Sequence, residues 1–147
     1  MAVRTLSLNN VQSINDVYQF RNIYYLRLYG CHHISDVSGL SGSRVTYLTL
    51  YGCHNISDVS ALGNIRVLNL FYLPISDVSA LSSVRYLTIH QCGNIRDVSA
   101  LCGIHALTLS ICDDIHDISM LHGVKNLVVT GCLHLPYINR GRPVKID

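Results

Sequence analysis

A repeating order of apolar and polar positions runs through almost the whole chain. It reads V-x-x-L-x-L-x-x-C-x-x-I-x-D-V-S-x-L-x-x and returns every 19 to 22 residues. A self-similar period of this length is typical of a solenoid, in which each coil buries its apolar side chains against the next coil. The paired apolar column consists of Leu6/Leu8, Leu26/Leu28, Leu48/Leu50, Leu68/Leu70, Leu87/Ile89, Leu107/Leu109 and Leu127/Val129.

The two halves of each repeat predict different local structures. The V-x-x-L-x-L half alternates apolar with variable residues, which is the period of a strand buried on one face. We expect about seven such short strands to form one parallel sheet on the concave side of an arc. The D-V-S-A-L half is too short for a full helix, and its leading aspartate suits capping a short helical or 3-10 turn on the convex side. The aspartates of this capping column are Asp16, Asp36, Asp58, Asp77, Asp97 and Asp117.

The repeat resembles the leucine-rich repeat family, whose signature is L-x-x-L-x-L-x-x-N/C-x-L. The segments ISDVSGL (34–40), ISDVSAL (56–62 and 75–81) and IRDVSAL (95–101) look like the short repeats of bacterial internalins. With cysteine where those proteins carry asparagine, they are more similar to repeats multiplied in amoebae and in the giant viruses that infect them. The resemblance implies a single leucine-rich-repeat domain over 1–147, with about six to seven repeats and a degenerate C-terminal cap at 135–147.

Five of the six cysteines occupy the column in which the family places asparagine or cysteine. The resemblance implies inward side chains that bond backbone groups of the turn. Neighbouring coils lie ~4.8 Å apart, which a disulfide tolerates, but a cytosolic redox environment argues against bridging. We therefore expect a structural column of reduced, buried thiols, with Cys102 outside it as a candidate exposed thiol. The column consists of Cys31, Cys53, Cys92, Cys112 and Cys132.

The sequence offers little to metal binding or catalysis. The histidines beside the column cysteines are expected to point away from the core while the cysteines point into it, and no C-x-x-C motif occurs. Each aspartate of the capping column is the single acid of an I-x-D-V or I-x-D-I step, unlike the clustered ligands of a calcium loop. There is no glycine-rich phosphate loop, no G-x-S-x-G and no H-E-x-x-H. We therefore predict a non-enzymatic protein with no metal, no cofactor and no catalytic residue.

Aromatic residues are concentrated at the outward positions of repeats two to five. Tyrosine supplies large, rigid contact area and is common in binding hot spots, so we interpret these positions as a protein-binding surface for an unknown partner. The alternative is that the rings only stabilise the sheet through cross-strand contacts. The predicted partner-binding residues are Tyr25, Arg27, Tyr29, Tyr47, Tyr51, Asn69, Phe71, Tyr86 and His90.

A basic rim is predicted along the edge where the strands begin. Such a rim could steer an acidic partner or a nucleic acid, or it could be an ordinary solvated edge. A nucleic-acid binder that stacks bases on the tyrosines stays an alternative function, although a net charge of +2 and a pI of 8.2 do not favour it. The rim consists of Arg4, Arg66, Arg85, His105 and Lys125.

A third hypothesis is a structural or self-assembling protein. Solenoids expose apolar ends unless the terminal repeats are polar, and the first strand residues, from Val3 onward, begin almost at the first residue. A homodimer through the solenoid ends is therefore plausible. The 49% hydrophobic content follows from the inward columns, and no apolar run reaches the about 20 residues of a membrane span. Without a signal-peptide pattern at Met1, we expect no membrane association and an intracellular, cytoplasmic location, in the host cytoplasm if the protein is viral.

Overall fold

The computed structural model describes residues 4–135 of the chain. The expected C-terminal cap therefore lies outside the described residues, apart from Leu135, and so does the expected strand start at Val3. Seven strands alternate with six 3-10 turns along the described part. The strands are β1 (Thr5–Asn9), β2 (Tyr25–Tyr29), β3 (Tyr47–Tyr51), β4 (Val67–Phe71), β5 (Tyr86–His90), β6 (Ala106–Ser110) and β7 (Asn126–Thr130). The 3-10 turns are η1 (Tyr18–Phe20), η2 (Ser38–Leu40), η3 (Ser60–Leu62), η4 (Ser79–Ser83), η5 (Ser99–Gly103) and η6 (Ser119–Gly123).

All seven strands lie in one parallel sheet, in the order of the sequence. Each pairs in register with the next, so that Leu26 lies beside Leu48 and Leu48 beside Leu68. This pairing places every column of the repeat in a straight file across the sheet. The prediction of a repeat solenoid with about seven short parallel strands and short 3-10 turns is confirmed.

One continuous apolar core fills the space between the sheet and the 3-10 turns. The central strand leucines, such as Leu48, Leu50 and Leu68, are fully buried. Burial weakens at both ends of the described chain, where Leu6 and Leu127 are only partly covered. Weaker burial toward the ends is typical of a solenoid, whose inner coils are covered on both sides. The helical segments of residues 4–135 reach at most five residues, and none has the length and apolar character of a membrane-spanning helix.

The six aspartates of the capping column each accept a backbone hydrogen bond at the start of a 3-10 turn. The N–H of Ser38, the first residue of η2, donates to an Asp36 oxygen at 2.7 Å, and the equivalent bond from Tyr18 to Asp16 is 2.9 Å. The aspartate lies two residues before its donor, because a valine or isoleucine stands between them. The same bond joins Asp58 to Ser60, Asp77 to Ser79, Asp97 to Ser99 and Asp117 to Ser119.

The residue after every strand has a left-handed backbone, with φ between 50° and 63°. It turns the chain from the sheet toward the inward cysteine column, and in the first six coils its N–H donates to the last carbonyl of the next strand. Glycine adopts this conformation freely, whereas other residues pay about 1–2 kcal/mol. The sequence analysis did not recognise this column. Its members are Asn10, Gly30, Gly52, Tyr72, Gln91, Ile111 and Gly131.

Candidate functional site

The outer face of the sheet carries the side chains that point away from the core. Because the strands are in register, equivalent outward residues form files across it: Tyr25 lies beside Tyr47, and Tyr29 lies beside Tyr51. Two aromatic files result, one near the amino ends of the strands and one near their carboxyl ends. A central polar file separates them.

The carboxyl-end file is continuous across four strands. The ring centroids of Tyr29 and Tyr51 are 5.9 Å apart, those of Tyr51 and Phe71 are 5.8 Å apart, and those of Phe71 and His90 are 5.7 Å apart. Neighbouring rings are tilted by 35° to 47°, within the range of favourable aromatic pairs. The file therefore forms one preassembled row of rings.

Tyr72 enlarges this row and was missed by the sequence analysis. Its ring meets Tyr51 edge-on at 5.0 Å and His90 edge-on at 5.3 Å. A side-chain hydrogen bond with Tyr72 also raises the pKa of Tyr51 above its usual value. Tyr72 occupies the left-handed column, which has glycine in three other repeats and no other aromatic residue. That departure from the repeat was the available signal.

The amino-end file is shorter and is tied to the central polar file. The rings of Tyr25 and Tyr47 are 5.9 Å apart, and the Arg27 guanidinium lies over the Tyr47 ring at 5.4 Å. Asn69 donates through Nδ2 to the Tyr47 hydroxyl at 3.1 Å and to Thr49 Oγ1 at 3.3 Å. Thr49 is only 6% exposed although it lies on the outer face, so its neighbours cover it closely.

We call this surface the aromatic patch. Tyr86, which the sequence analysis grouped with it, stands apart because Val67 lies between Tyr47 and Tyr86 in the file. Tyr86 instead contacts Arg85, whose guanidinium is 5.7 Å from the ring centre, and His105, whose ring is 5.4 Å away. The aromatic patch consists of Tyr25, Arg27, Tyr29, Tyr47, Tyr51, Asn69, Phe71, Tyr72 and His90.

The predicted basic rim follows the amino edge of the sheet. Each rim residue directly precedes a strand, and the carbonyls of Arg66 and Arg85 accept hydrogen bonds from the first residues of the following strands. Tyr24 and Thr46 interrupt the charges in the second and third coils. The side chains of Arg4, Arg66, Arg85 and Lys125 are exposed, and that of His105 is half-buried.

The column cysteines lie in the core as unbridged thiols. Cys31, Cys53, Cys92 and Cys112 are buried, and Cys132 in the last described coil is half-buried. Their Sγ atoms face strand carbonyls, as in the 3.5 Å contact between Cys92 and the His90 oxygen. Burial raises the pKa of Cys53 and of Cys92, which keeps these thiols protonated.

The last two cysteines of the column interact with each other. The pKa of the Cys112 thiol is raised, mainly by its side-chain hydrogen bond to Cys132 and secondly by burial. The same hydrogen bond lowers the pKa of Cys132 to about 7. Cys102 is exposed in η5. Within residues 4–135 no three His, Cys or Asp side chains come close enough to hold a metal ion together.

No protein-family model matches the chain, and no curated protein matches its sequence. Two solved internalin structures from Listeria monocytogenes are similar in fold. Internalin C2 has 20% sequence identity and a TM-score of 0.64, over 85% of this chain and 59% of that protein. The internalin inlF has 24% identity and a TM-score of 0.64, over 90% of this chain and 44% of that protein.

The chain spans about half the length of these internalin structures. At such low identity the similarity shows the fold, which is a leucine-rich-repeat solenoid. The resemblance inferred from the sequence is thereby confirmed at the level of the fold. The closer similarity to cysteine-type repeats of amoebae and giant viruses stays a prediction.

Proposed function

We propose that this chain is a non-enzymatic module that binds a protein partner through the aromatic patch. The observation that carries the proposal is the unbroken contact among Tyr29, Tyr51, Phe71, Tyr72 and His90 on the outer face of the sheet. These rings reach solvent in a surface that spans four strands. Four strands at ~4.8 Å give a length of roughly 15–20 Å, which suits a loop, a strand or a helical turn of a partner.

The arrangement reduces the entropic cost of binding. Rings that already contact one another lose little freedom when a partner covers them, so more of the burial energy appears as affinity. Tyr25 is 47% exposed and Tyr51 is 42% exposed, which leaves apolar surface for a partner to cover. The polar groups of Arg27 and Asn69 supply directional contacts between the two aromatic files.

Stabilisation of the sheet alone explains this surface less well. Cross-strand ring contacts do contribute to sheet stability, but Tyr72 lies outside the strands and is not part of such a cross-strand row. A non-glycine residue at its left-handed position costs about 1–2 kcal/mol. Asn10, Gln91 and Ile111 have the same backbone conformation, so the strain belongs to the whole column, but only at position 72 does the column add a ring to the aromatic patch.

The proposal is tested with a double substitution in the aromatic patch. Tyr47→Ser with Tyr51→Ser removes one ring from each file, and we expect recovery of partners from a native lysate to fall about tenfold or more, as for hot-spot residues. The matched control is Tyr18→Ser with Met120→Ser, which removes two large exposed side chains from the 3-10 turns. Quantitative mass spectrometry of the captured proteins gives the readout, and circular dichroism establishes that both variants are folded.

The proposal fails if the patch variant is folded and captures every partner as well as the unaltered chain does. It also fails if the control variant loses the same partners to the same extent. Either outcome would assign the rings a structural role.

Nucleic-acid binding is less well supported by the geometry. Bases bind to single-strand binding proteins by stacking on aromatic faces. Here the rings of each file already contact one another, which leaves less free ring face for a base to stack on. We also propose that the protein is located in a reducing, intracellular compartment. The buried, unbridged thiols of the cysteine column support this location.

A further inference from the structure

Charges are segregated between the two kinds of connection in this solenoid. The descending connections run from the end of a strand to the next 3-10 turn, and the ascending connections run from a 3-10 turn to the next strand. All eight aspartates of residues 4–135 lie on descending connections: the six of the capping column together with Asp113 and Asp114. The sequence contains no glutamate, so the outer face and the ascending side have no described acidic residue.

The positive charges have the opposite distribution. Of the eight lysines and arginines in residues 4–135, only Arg96 is on a descending connection, where it lies 3.6 Å from an Asp114 oxygen. Arg27 lies on the outer face, in β2. The other six precede the strands on the ascending side: Arg4, Arg21, Arg44, Arg66, Arg85 and Lys125.

The basic side is continuous with the outer face. Parallel strands begin at the same edge, so the ascending connections meet the sheet next to the Tyr25 and Tyr47 file. Arg27 already lies over Tyr47, and Arg85 lies over Tyr86 at this edge. A ligand that covers the aromatic patch would therefore also contact the ascending side, where the described residues include several positive charges and no acidic side chain.

We infer that the partner of the aromatic patch is an acidic polypeptide segment, with apolar side chains on the rings and carboxylates toward the ascending side. This inference rests on the proposed function and specifies the chemistry of its partner. Complementary charges speed encounter and reject wrong partners more than they add affinity, so the cations set specificity while the rings supply contact area. A polypeptide fits better than a nucleic acid because its apolar side chains need only the surface of the ring files.

The test begins with an unbiased selection. A library of random 12-residue peptides is selected on the immobilised full chain, and the enriched peptides are titrated by fluorescence anisotropy. We expect enrichment in aspartate and glutamate together with aromatic or aliphatic residues. Binding should weaken as salt rises from 50 to 300 mM, because exposed charges are screened over about 10 Å at 0.1 M salt.

One pair of charge reversals locates the effect. Arg66→Glu reverses an exposed charge at the centre of the ascending side, and we expect it to weaken peptide binding about three- to tenfold. Arg96→Glu makes the same change of charge at a side chain that is 83% exposed on the descending side, and we expect less than a twofold effect. Labelled oligo(dT) of 30 nucleotides is titrated in parallel.

Several outcomes would overturn the inference. These are enrichment of neutral or basic peptides, equal effects of the two reversals, or tighter binding of oligo(dT) than of any selected peptide. If neutral peptides are selected and lost in the Tyr47→Ser, Tyr51→Ser variant, the proposed function stands and only the acidic partner is wrong. If no selected peptide depends on either tyrosine, the proposed function fails as well.

Discussion

Position 72 allows the strain in the left-handed column to be measured directly. Tyr72 has φ of 56°, and the equivalent residues in three other coils are the glycines Gly30, Gly52 and Gly131. Replacing Tyr72 by alanine removes the ring and keeps the strain, because alanine also has a Cβ. Replacing it by glycine removes the ring and the strain together, so the difference between the two variants isolates the backbone.

The expected difference follows from two opposing quantities. A Cβ in the left-handed region destabilises the folded alanine variant by about 1–2 kcal/mol. Glycine destabilises its own variant by roughly 0.5–1 kcal/mol relative to alanine, because the unfolded chain with glycine has more conformational freedom to lose. Tyr72→Gly should therefore be more stable than Tyr72→Ala by about 0.5–1 kcal/mol. For a chain of this length that corresponds to a rise in melting temperature of roughly 1–4 °C.

The measurement compares urea and thermal unfolding of both variants by circular dichroism. Ser82, exposed in η4 with an ordinary backbone conformation, is the control site, and there alanine should be more stable than glycine by about 0.5–1 kcal/mol. If alanine is as stable as glycine at position 72, the left-handed conformation is not a source of strain. The same conclusion would then apply to Asn10, Gln91 and Ile111, which have the same backbone conformation.

Two further predictions concern titratable groups. The pKa values of five cap carboxyls lie below the usual 3.8, because each carboxyl accepts hydrogen bonds from the serine two residues later. The backbone N–H of that serine has the larger effect and its hydroxyl the smaller. These carboxylates stabilise the fold fully above the pKa of the unfolded state, and the stabilisation is lost as the pH falls through their lowered pKa values in the folded state. The urea midpoint should therefore drop between about pH 5 and about pH 2, and a constant midpoint would contradict this. Iodoacetamide at pH 8 should modify Cys102 and Cys132 in the native state, because Cys102 is exposed and Cys132 is half-buried with a pKa near 7. Peptide mass spectrometry should find the four buried cysteines unmodified until urea is added, and rapid native labelling of Cys53 or Cys92 would contradict their burial. The carboxyls in the first prediction are those of Asp36, Asp58, Asp77, Asp97 and Asp117.

Much of the fold could be predicted because one column of the repeat implies all the others. Once Leu26 and Leu48 are taken as equivalent, in-register pairing places Tyr25 beside Tyr47 and Tyr29 beside Tyr51, as the structure shows. The same equivalence holds through the fourth repeat, where Leu73 fills the cysteine position in the core. Repetition turns a pattern in sequence into a pattern in space.

The candidate surface was less predictable, because it depends on departures from the repeat. Tyr72 reads as an interruption of the pattern, yet from its left-handed position after β4 its ring contacts both Tyr51 and His90. Tyr86 reads as a member of an aromatic file, yet it contacts Arg85 and His105. In both cases the direction of a side chain depends on local backbone angles and on neighbours in other coils.

The sequence by itself determined the solenoid, the number and register of the strands, the inward columns and the residues available to the outer face. These properties follow from the period alone, since every coil must bury the same positions on the next coil. Only the tertiary structure decided which rings touch, which tyrosine belongs to the basic edge and where strain is stored. Those properties arise between coils, from ring orientation and backbone conformation that no periodic pattern specifies.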